Sequence, residues 1–227
     1  MRPDSLYGPA VSPPDKVKAK RPSAAYIKKL LAFLDADYPE AACALLFQNP
    51  FQLLAATVLS AQCTDARVNQ TTPALFARFP GPADMARADL AEVEALIRPC
   101  GFYHHKARNL IELSRSLCRD HGGEVPRTLE ELVALSGVGR KTANVVLGNA
   151  FGLPGLTVDT HLGRLSRRLG LSSGRNPEEI ETDLALLIPP ARWTLFSHQV
   201  IAHGRAVCRA RRPGCETCSF TACPRLI

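Results

Sequence analysis

The sequence predicts an all-α protein, and two observations support this fold class. Apolar residues recur at helical spacing in every periodic segment after Ser23, and no segment shows the strict alternation of a half-buried strand. Four of the eight cysteines fall within the last 20 residues, which favours a metal-binding loop at the end of a helical body over a disulfide framework.

Composition limits the classes of protein to which the chain can belong. Its 227 residues, 46% of them hydrophobic, are enough for one large or two small domains with an ordinary core. The net charge of +7 fits a polyanionic partner about as well as a basic enzyme from a basic proteome. No apolar run approaches the roughly 18 residues of a membrane span, and the N-terminus lacks the apolar core of a signal peptide. We therefore expect an intracellular, cytoplasmic protein with no membrane partner.

The predicted helices begin after a proline-rich segment. Residues 1–22 contain five prolines, four clustered basic residues (16, 18, 20 and 21) and no apolar periodicity, which predicts a flexible basic tail. The following segments are predicted as helices: 26–36, from Asn49 and Pro50 onward, 66–79, 90–97, from Tyr103 onward, 129–135, from Gly139 onward, 162–169, 177–188 and 193–203.

One segment, residues 135–161 with the sequence LSGVGRKTANVVLGNAFGLPGLTVDTH, combines three unusual features. Gly137 and Gly139 flank Val138 between two predicted helices, which is a helix, a tight glycine turn and a helix. The glycines allow the backbone N–H groups to point outward, and the dipole of the second helix adds partial positive charge, so the turn suits a phosphate oxygen. For G-x-G alone, a turn between two packed helices is the commoner explanation.

Lys141 and Asp159 are the candidate catalytic residues. Lys141 falls in the first turn of the second helix, where the macrodipole disfavours a cation and favours the unprotonated amine that a nucleophile needs. Asp159 follows a Gly-Pro-Gly loop that can fold the chain back toward Lys141. By itself Asp159 is more simply the N-cap of the next helix, and a capping aspartate can also be catalytic.

The C-terminal cysteines have the spacing C-x6-C-x2-C-x4-C, formed by Cys208, Cys215, Cys218 and Cys223. A [4Fe-4S] cluster tolerates uneven spacing because each iron takes one protein ligand. Structural zinc usually draws on two C-x2-C pairs, and only one is present. The spacing favours iron–sulfur over zinc modestly. The other four cysteines are predicted to be small buried hydrophobic residues.

Four motifs together resemble one protein family. The segments LSAQCTD (59–65), GVGRKTA (137–143), VDTH (158–161) and the cysteine loop occur in the order typical of the endonuclease III family of DNA base-excision glycosylases. The resemblance covers residues 23–223. It departs from the family pattern at Ser136, usually proline, at Phe102, often leucine, and in the last cysteine interval, which is one residue shorter.

The resemblance implies two helical lobes with a DNA-binding cleft between them. The expected domains are a central lobe of residues 43–153 that carries the helix-hairpin-helix, and a second lobe built from residues 23–42 and 154–227. It also implies a [4Fe-4S] cluster on the four cysteines, damaged double-stranded DNA as the partner, and a monomeric protein.

Further DNA-contacting residues follow from the resemblance and from local patterns. Gln62 ends an apolar helix face, where a satisfied boundary residue is commoner, but the family places a DNA-entering glutamine there. Phe102 is either a wedge between stacked bases or a hydrophobic staple. His104 and Lys106 are cations at a helix start, a conflict that a bound phosphate would resolve. The hairpin and the VDTH segment supply the remaining predicted DNA contacts: Gly137, Val138, Gly139, Arg140, Thr142 and His161.

The resemblance predicts a bifunctional DNA glycosylase and AP lyase that acts on oxidised pyrimidines through a Lys141 Schiff base. One rival is a monofunctional mispair glycosylase of the same superfamily, which lacks such a lysine. Another is a DNA-binding module without chemistry, in which Lys141 contacts only phosphate.

Overall fold

The computed structural model describes residues 22–226, so the predicted tail lies outside the described residues except for Pro22. Regular structure within this range is entirely helical, which confirms the all-α fold class. The α-helices are α1 (Ala24–Asp37), α2 (Pro50–Leu59), α3 (Asp65–Arg78), α4 (Pro82–Ala86), α5 (Leu90–Ile97), α6 (Tyr103–Asp120), α7 (Leu129–Val133), α8 (Arg140–Phe151), α9 (Thr160–Arg168), α10 (Pro177–Ala185) and α11 (Trp193–Ala206).

Two hydrophobic cores divide the helices into two groups. One core is built by α2 to α8, and the other by α1 together with α9, α10 and α11. Phe196, fully buried, lies in the second core. The grouping follows the two expected lobes, while the domain boundaries themselves stay a prediction.

Most helices begin at a side-chain cap, because the first N–H groups of a helix have no partner within it. The capping side chains are those of Ser23, Asn49, Thr64, Asp89, Thr128, Asp159 and Asn176. Helices α4, α6, α8 and α11 lack such a cap. In α6 and α8, the first N–H groups are therefore free to bind something other than their own chain.

Several helix boundaries differ from the sequence-based prediction by one to three residues, and three differences matter for the site or the fold. Helix α2 ends at Leu59, so Gln62 lies in the following turn and does not extend an apolar helix face. Helix α10 ends at Ala185 instead of Ile188. The short helix α4 lies between two predicted helices and was not predicted; it begins at Pro82, a first-turn position that tolerates proline.

Residues 152–159, called the connector below, run back along α8 toward its N-terminus. The Leu153 N–H donates to the Leu147 carbonyl at 3.0 Å, and the Asn144 side-chain amide donates to the Leu156 carbonyl at 2.9 Å. Helix α8 has 12 residues and rises about 18 Å. Eight extended residues span up to about 28 Å, so the connector is long enough for this return.

No helix among residues 22–226 has both the length and the apolar character needed to cross a membrane.

Gly155 makes the close return of the connector possible, and Gly155→Ala should destabilise the protein. A Cβ atom at this position would collide with the Asn144 carbonyl oxygen of α8, which is backbone and cannot move aside alone. Overpacking of this kind costs about 2 kcal/mol, or roughly 4–8 °C in thermal midpoint for a chain of this size. Gly139→Ala is the control, because no atom lies within 4 Å of its added Cβ. Equal midpoints for the two variants would contradict the proposed close packing.

Candidate active site and cysteine loop

Lys141 lies in the first turn of α8, on the exposed side of the helix. The preceding Gly139 has an extended conformation and offers no side chain to cap the helix. The amine and the free N–H groups of the first turn therefore share one solvent-facing helix end. This end carries the partial positive charge of the helix dipole.

Asp159 is the N-cap of α9, as the sequence predicted. Its Oδ1 atom accepts a hydrogen bond from the Leu162 N–H at 2.7 Å, and the residue is half-buried. The other carboxylate oxygen makes no hydrogen bond to any of the residues 22–226. One oxygen thus holds the start of α9 while the other is available for chemistry.

The connector places the two candidate catalytic residues on the same side of the molecule. By Leu156 the chain already lies beside Asn144, one turn into α8, and Asp159 follows three residues later. The Thr157 N–H donates to the Ser197 hydroxyl at 3.1 Å, which anchors this part of the connector to α11. The connector thus runs toward the N-terminal end of α8, where Lys141 lies, before Asp159 begins α9.

The glycine turn before α8 has the predicted form. Gly137 has φ +75°, and a Cβ there would lie 2.6 Å from the side-chain nitrogen of Asn109, so only glycine fits. The Val138 N–H donates to the Leu135 carbonyl at 3.1 Å, and the Val138 side chain is buried. The Val138 side chain therefore supports the turn from within, and a contact of the Val138 backbone with DNA stays a prediction.

Arg140 and Thr142 flank Lys141 in the first turn of α8. Both guanidinium N–H groups of Arg140 contact Glu181 of α10 at 2.8 Å, a two-point ion pair that joins the two helical groups. This hydrogen bonding to Glu181 raises the pKa of Arg140. Thr142 is half-buried. Arg140 is thus already paired, and a phosphate would have to share it with Glu181.

Gln62 and Phe102 lie in two separate turns and share a rare backbone conformation. Their φ angles are 53° and 48°, in the left-handed region that side-chain-bearing residues seldom adopt. Both side chains are exposed, and that of Phe102 is 64% exposed. An exposed Phe102 is not packed as a hydrophobic staple, so the wedge alternative is the one compatible with the structure.

Lys106 does not face solvent, and its prediction as a phosphate contact is wrong. The residue is only 4% exposed. Its ammonium group donates to the carbonyl oxygens of Leu59 at 2.8 Å and Cys100 at 2.9 Å. Burial lowers the pKa of Lys106. The helical pattern missed this placement because a lysine next to an apolar stripe is usually solvated.

The two predicted histidines occupy different surroundings. His104 is exposed, and its Nδ1 atom lies 2.8 Å from a carboxylate oxygen of Glu94. His161 is half-buried, with its Nδ1 atom 3.3 Å from the Arg164 guanidinium. Their contacts with DNA stay predictions.

The four C-terminal cysteines line one pocket together with His203, Arg168 and Phe220. All four are free thiols. Burial raises the pKa of Cys223, and the other three thiols raise it further. Since four half-buried thiols face one another without forming disulfides, the donor set suits a group that binds thiolates.

Among residues 22–226, no three cysteine, histidine or acidic side chains converge closely enough to hold a single metal ion.

Two arginines of α9 tie this loop to the rest of the molecule. Arg168 donates to the carbonyls of Arg209 at 2.7 Å and Ala210 at 2.9 Å, and one of its N–H groups lies 3.5 Å from the Cys208 sulfur. Arg164 donates to the carbonyls of Gly204 and Cys208 at 3.1 and 3.0 Å. The helix that begins at Asp159 therefore ends on the cysteine loop.

Sequence reasoning missed several residues that shape the site. Asn109 buttresses Gly137 and accepts a hydrogen bond from the Ser136 hydroxyl at 3.1 Å. Asn144 holds the connector, and Glu181 pairs with Arg140. These contacts join positions far apart in the chain. No local pattern signals them, apart from an asparagine on an apolar helix face.

The central part of the chain matches one protein-family model. Residues 55–190 match the family model described as "HhH-GPD superfamily base excision DNA repair protein". This range includes the glycine turn, Lys141 and Asp159. The chain belongs to this superfamily.

Within this superfamily, the chain is most informatively compared with individual endonuclease III proteins. The chain is 52% identical over 198 residues to endonuclease III of Synechocystis sp., covering 86% of this chain and 90% of that protein. Two solved structures, a non-covalent endonuclease III–DNA complex and a trapped endonuclease III–DNA covalent intermediate, match with TM-scores of 0.85 and 43% identity. The matches cover 90% of this chain and 96% and 97% of the solved chains.

The chain belongs to the endonuclease III family, which confirms the resemblance seen in the sequence. It is thereby a DNA glycosylase with AP lyase activity of base excision repair.

His198, which joins the two helical groups, should make stability depend on pH. Its ring nitrogen contacts the Asn149 side chain of α8 at 2.8 Å, and burial, followed by the nearby Arg205 charge, lowers its pKa. The folded state then binds fewer protons than the unfolded state. Stability is complete above the unfolded pKa of about 6.5 and falls below it, by at most about 1.4 kcal/mol per pH unit.

Thermal unfolding at pH 7.5 and 5.5 tests this dependence. The His198→Gln variant keeps an amide donor for Asn149 but does not titrate, so we expect it to lose less stability on acidification than the wild type. An identical pH dependence in both proteins would exclude His198 as a source.

Proposed function

We propose that this chain removes oxidised pyrimidines from duplex DNA and cleaves the strand at the resulting abasic site, with Lys141 as the nucleophile. The observation that supports the proposal is the return of the connector along α8 toward the end where Lys141 lies, with Asp159 as its last residue. An amine beside a carboxylate at neighbouring helix ends is the pair that Schiff-base chemistry needs.

The reaction begins when the damaged nucleotide leaves the base stack, because its C1′ carbon is otherwise inaccessible. The unprotonated Lys141 amine attacks C1′, a C–N bond forms, and the bond to the base breaks with its electron pair leaving on the base. Asp159 accepts the proton released by the amine and stabilises the positive charge that develops on the sugar. Ring opening yields the Schiff base between Lys141 and C1′.

Strand cleavage then uses the same covalent intermediate. The iminium makes the C2′ hydrogen acidic, loss of that proton forms a new C–C double bond, and the 3′ phosphate leaves with the electron pair of its C–O bond. Hydrolysis of the Schiff base releases the product and restores the Lys141 amine. A related endonuclease III has been solved as a trapped covalent intermediate with DNA, which supports a covalent route in this chain.

DNA binding in this proposal depends on three surfaces. The uncapped N–H groups of α8 and the glycine turn bind the phosphate backbone of the damaged strand. The exposed arginines 209, 211 and 212 of the cysteine loop extend this contact without reading sequence. Gln62 and Phe102 enter the base stack at the lesion.

We further propose that Cys208, Cys215, Cys218 and Cys223 hold a [4Fe-4S] cluster, as family membership and the donor set favour. Bound there, the cluster would cross-link the loop by iron–thiolate bonds. Arg164 and Arg168 then hold the ordered loop against α9 through backbone carbonyls. The protein is expected to act as an intracellular monomer on duplex DNA.

The decisive experiment is borohydride trapping on a duplex that contains one thymine glycol. The wild type should form a covalent complex, whereas Lys141→Ala should form none and still bind the duplex. Trapping by Lys141→Ala would assign the nucleophile elsewhere. Release of free base without trapping would identify a water-using glycosylase, and tight binding with neither result would indicate a non-catalytic DNA-binding module or a wrong lesion class.

Asp159→Asn should separate catalysis from folding. Asparagine caps a helix about as well as aspartate, so the thermal midpoint should stay close to that of the wild type. Loss of the carboxylate should lower single-turnover base release by about 10²- to 10⁴-fold. Asp159→Ala serves as the comparison, because it should lose both activity and about 1 kcal/mol of stability. Unchanged turnover in Asp159→Asn would remove this residue from the mechanism.

Metal analysis of the natively purified protein tests the cluster. We expect four iron atoms per chain and broad visible absorbance, and Cys223→Ser should lower both. Cys118→Ser is the matched control, because Cys118 lies on α6 outside the loop; the prediction that it is buried was wrong, since its thiol is exposed. A colourless protein loaded with zinc would overturn the assignment.

A further inference from the structure

Gln62 and Phe102 occupy two turns that are remote in sequence but share one strained feature. The first turn (residues 60–64) joins α2 to α3, and the second (residues 98–102) leads into α6. Gln62 and Phe102 are two of the four non-glycine residues with positive φ among residues 22–226. Such conformations persist only where the surrounding structure enforces them. The structure must therefore supply a constraint on each turn.

With one ammonium group, Lys106 contacts the last residue of α2, directly before the first turn, and the second turn itself. The Leu59 carbonyl, which it reaches at 2.8 Å, ends α2 three residues before Gln62. The Cys100 carbonyl, which it reaches at 2.9 Å, lies two residues before Phe102. Between residues 22 and 226, neither carbonyl accepts another hydrogen bond outside its own helix. Lys106 thus joins the two turns through polar contacts, beside a direct hydrogen-bond contact between the Cys63 and Cys100 thiols.

The surroundings of Lys106 suit a residue that holds neighbouring backbone in place. Among the described residues, no carboxylate forms an ion pair with its ammonium group. The titratable groups facing it are the thiols of Cys63 and Cys100, one on each turn. Its charge is stabilised by backbone dipoles, including the negative C-terminal end of α2. Burying a cation that only two carbonyls bind costs folding free energy. A role in fixing those two carbonyls in place would account for this cost.

We propose that Lys106 is a positioning residue that locks the Gln62 turn and the Phe102 turn into one rigid unit, so that both side chains enter the DNA together. This inference rests on the proposed function, which places Gln62 and Phe102 in the base stack. Rigid placement lowers the entropy that the turns lose when they insert between bases. Lys106 itself touches neither DNA nor the reacting atoms.

Lys106→Met tests the lock, because methionine keeps a long unbranched chain and removes all three donors. We expect single-turnover release of thymine glycol to fall about tenfold or more, since misplaced positioning groups cost rate well beyond their own contacts. Affinity for undamaged duplex should be unchanged. Leu117→Ala is the matched control, because Leu117 is fully buried on the same helix, three turns from Lys106, and loosens α6 without touching either turn.

A double-mutant cycle, measured by base release, distinguishes the proposed role of Lys106 from general destabilisation. In a Gln62→Ala, Phe102→Ala background, Lys106→Met should cause little further loss of base release, because there is no side-chain pair left to position. A full additional loss in that background, or equal losses for Lys106→Met and Leu117→Ala in the wild-type background, would overturn the proposal.

Hydrogen–deuterium exchange of the free protein tests the lock independently of catalysis. In Lys106→Met, peptides covering residues 60–64 and 98–102 should both exchange at least several-fold faster than in Leu117→Ala. Faster exchange in one turn only, or in neither, would overturn the lock even if the wild type proved inactive. An inactive wild type with the expected exchange would instead reject the proposed function and keep the lock. If Lys106→Met does not fold, Lys106→Gln, whose shorter amide reaches one carbonyl at most, replaces it under the same criteria.

Discussion

The connector that returns along α8 is the constraint on which the candidate active site depends. Its hydrogen bonds to Leu147 and Asn144, and its close approach at Gly155, leave the chain no room to leave α8 in another direction. Because α8 runs away from the glycine turn, only such a return can place the start of α9 beside the start of α8. In the proposed site, an amine at the start of α8 then acts together with a carboxylate at the start of α9.

Several features that break local rules belong to the residues and turns to which DNA binding is assigned. Helix α8 begins without a side-chain cap although most other helices have one. Gln62 and Phe102 adopt left-handed backbone conformations, and Lys106 is a buried cation without a carboxylate partner. Proteins tend to retain such local costs where function needs them. Free N–H groups and rigid protruding side chains are what a phosphate backbone and a base stack require.

Helix α9 connects this side to the cysteine loop. It starts at the Asp159 cap and ends at Arg168, whose guanidinium holds two carbonyls of the loop and lies near the Cys208 sulfur. The shorter last cysteine interval still leaves Cys223 in the pocket with the other three thiols. The loop carries exposed arginines, so its order affects the DNA-facing charge of the second helical group directly.

The sequence by itself determined the fold class, most helices, the glycine turn, the cap at Asp159 and the four clustered cysteines. These features are local, because apolar periodicity, capping and short-range spacing depend only on residues that are near one another in the sequence. The tertiary structure decided which way polar side chains point. Lys106 turned inward and Arg140 paired with Glu181 because carbonyls and a carboxylate from distant segments lie beside them. These hydrogen-bond partners are 41 and 47 residues away in the sequence. Such distant pairs produce no periodic pattern, so they could not be predicted from any single segment.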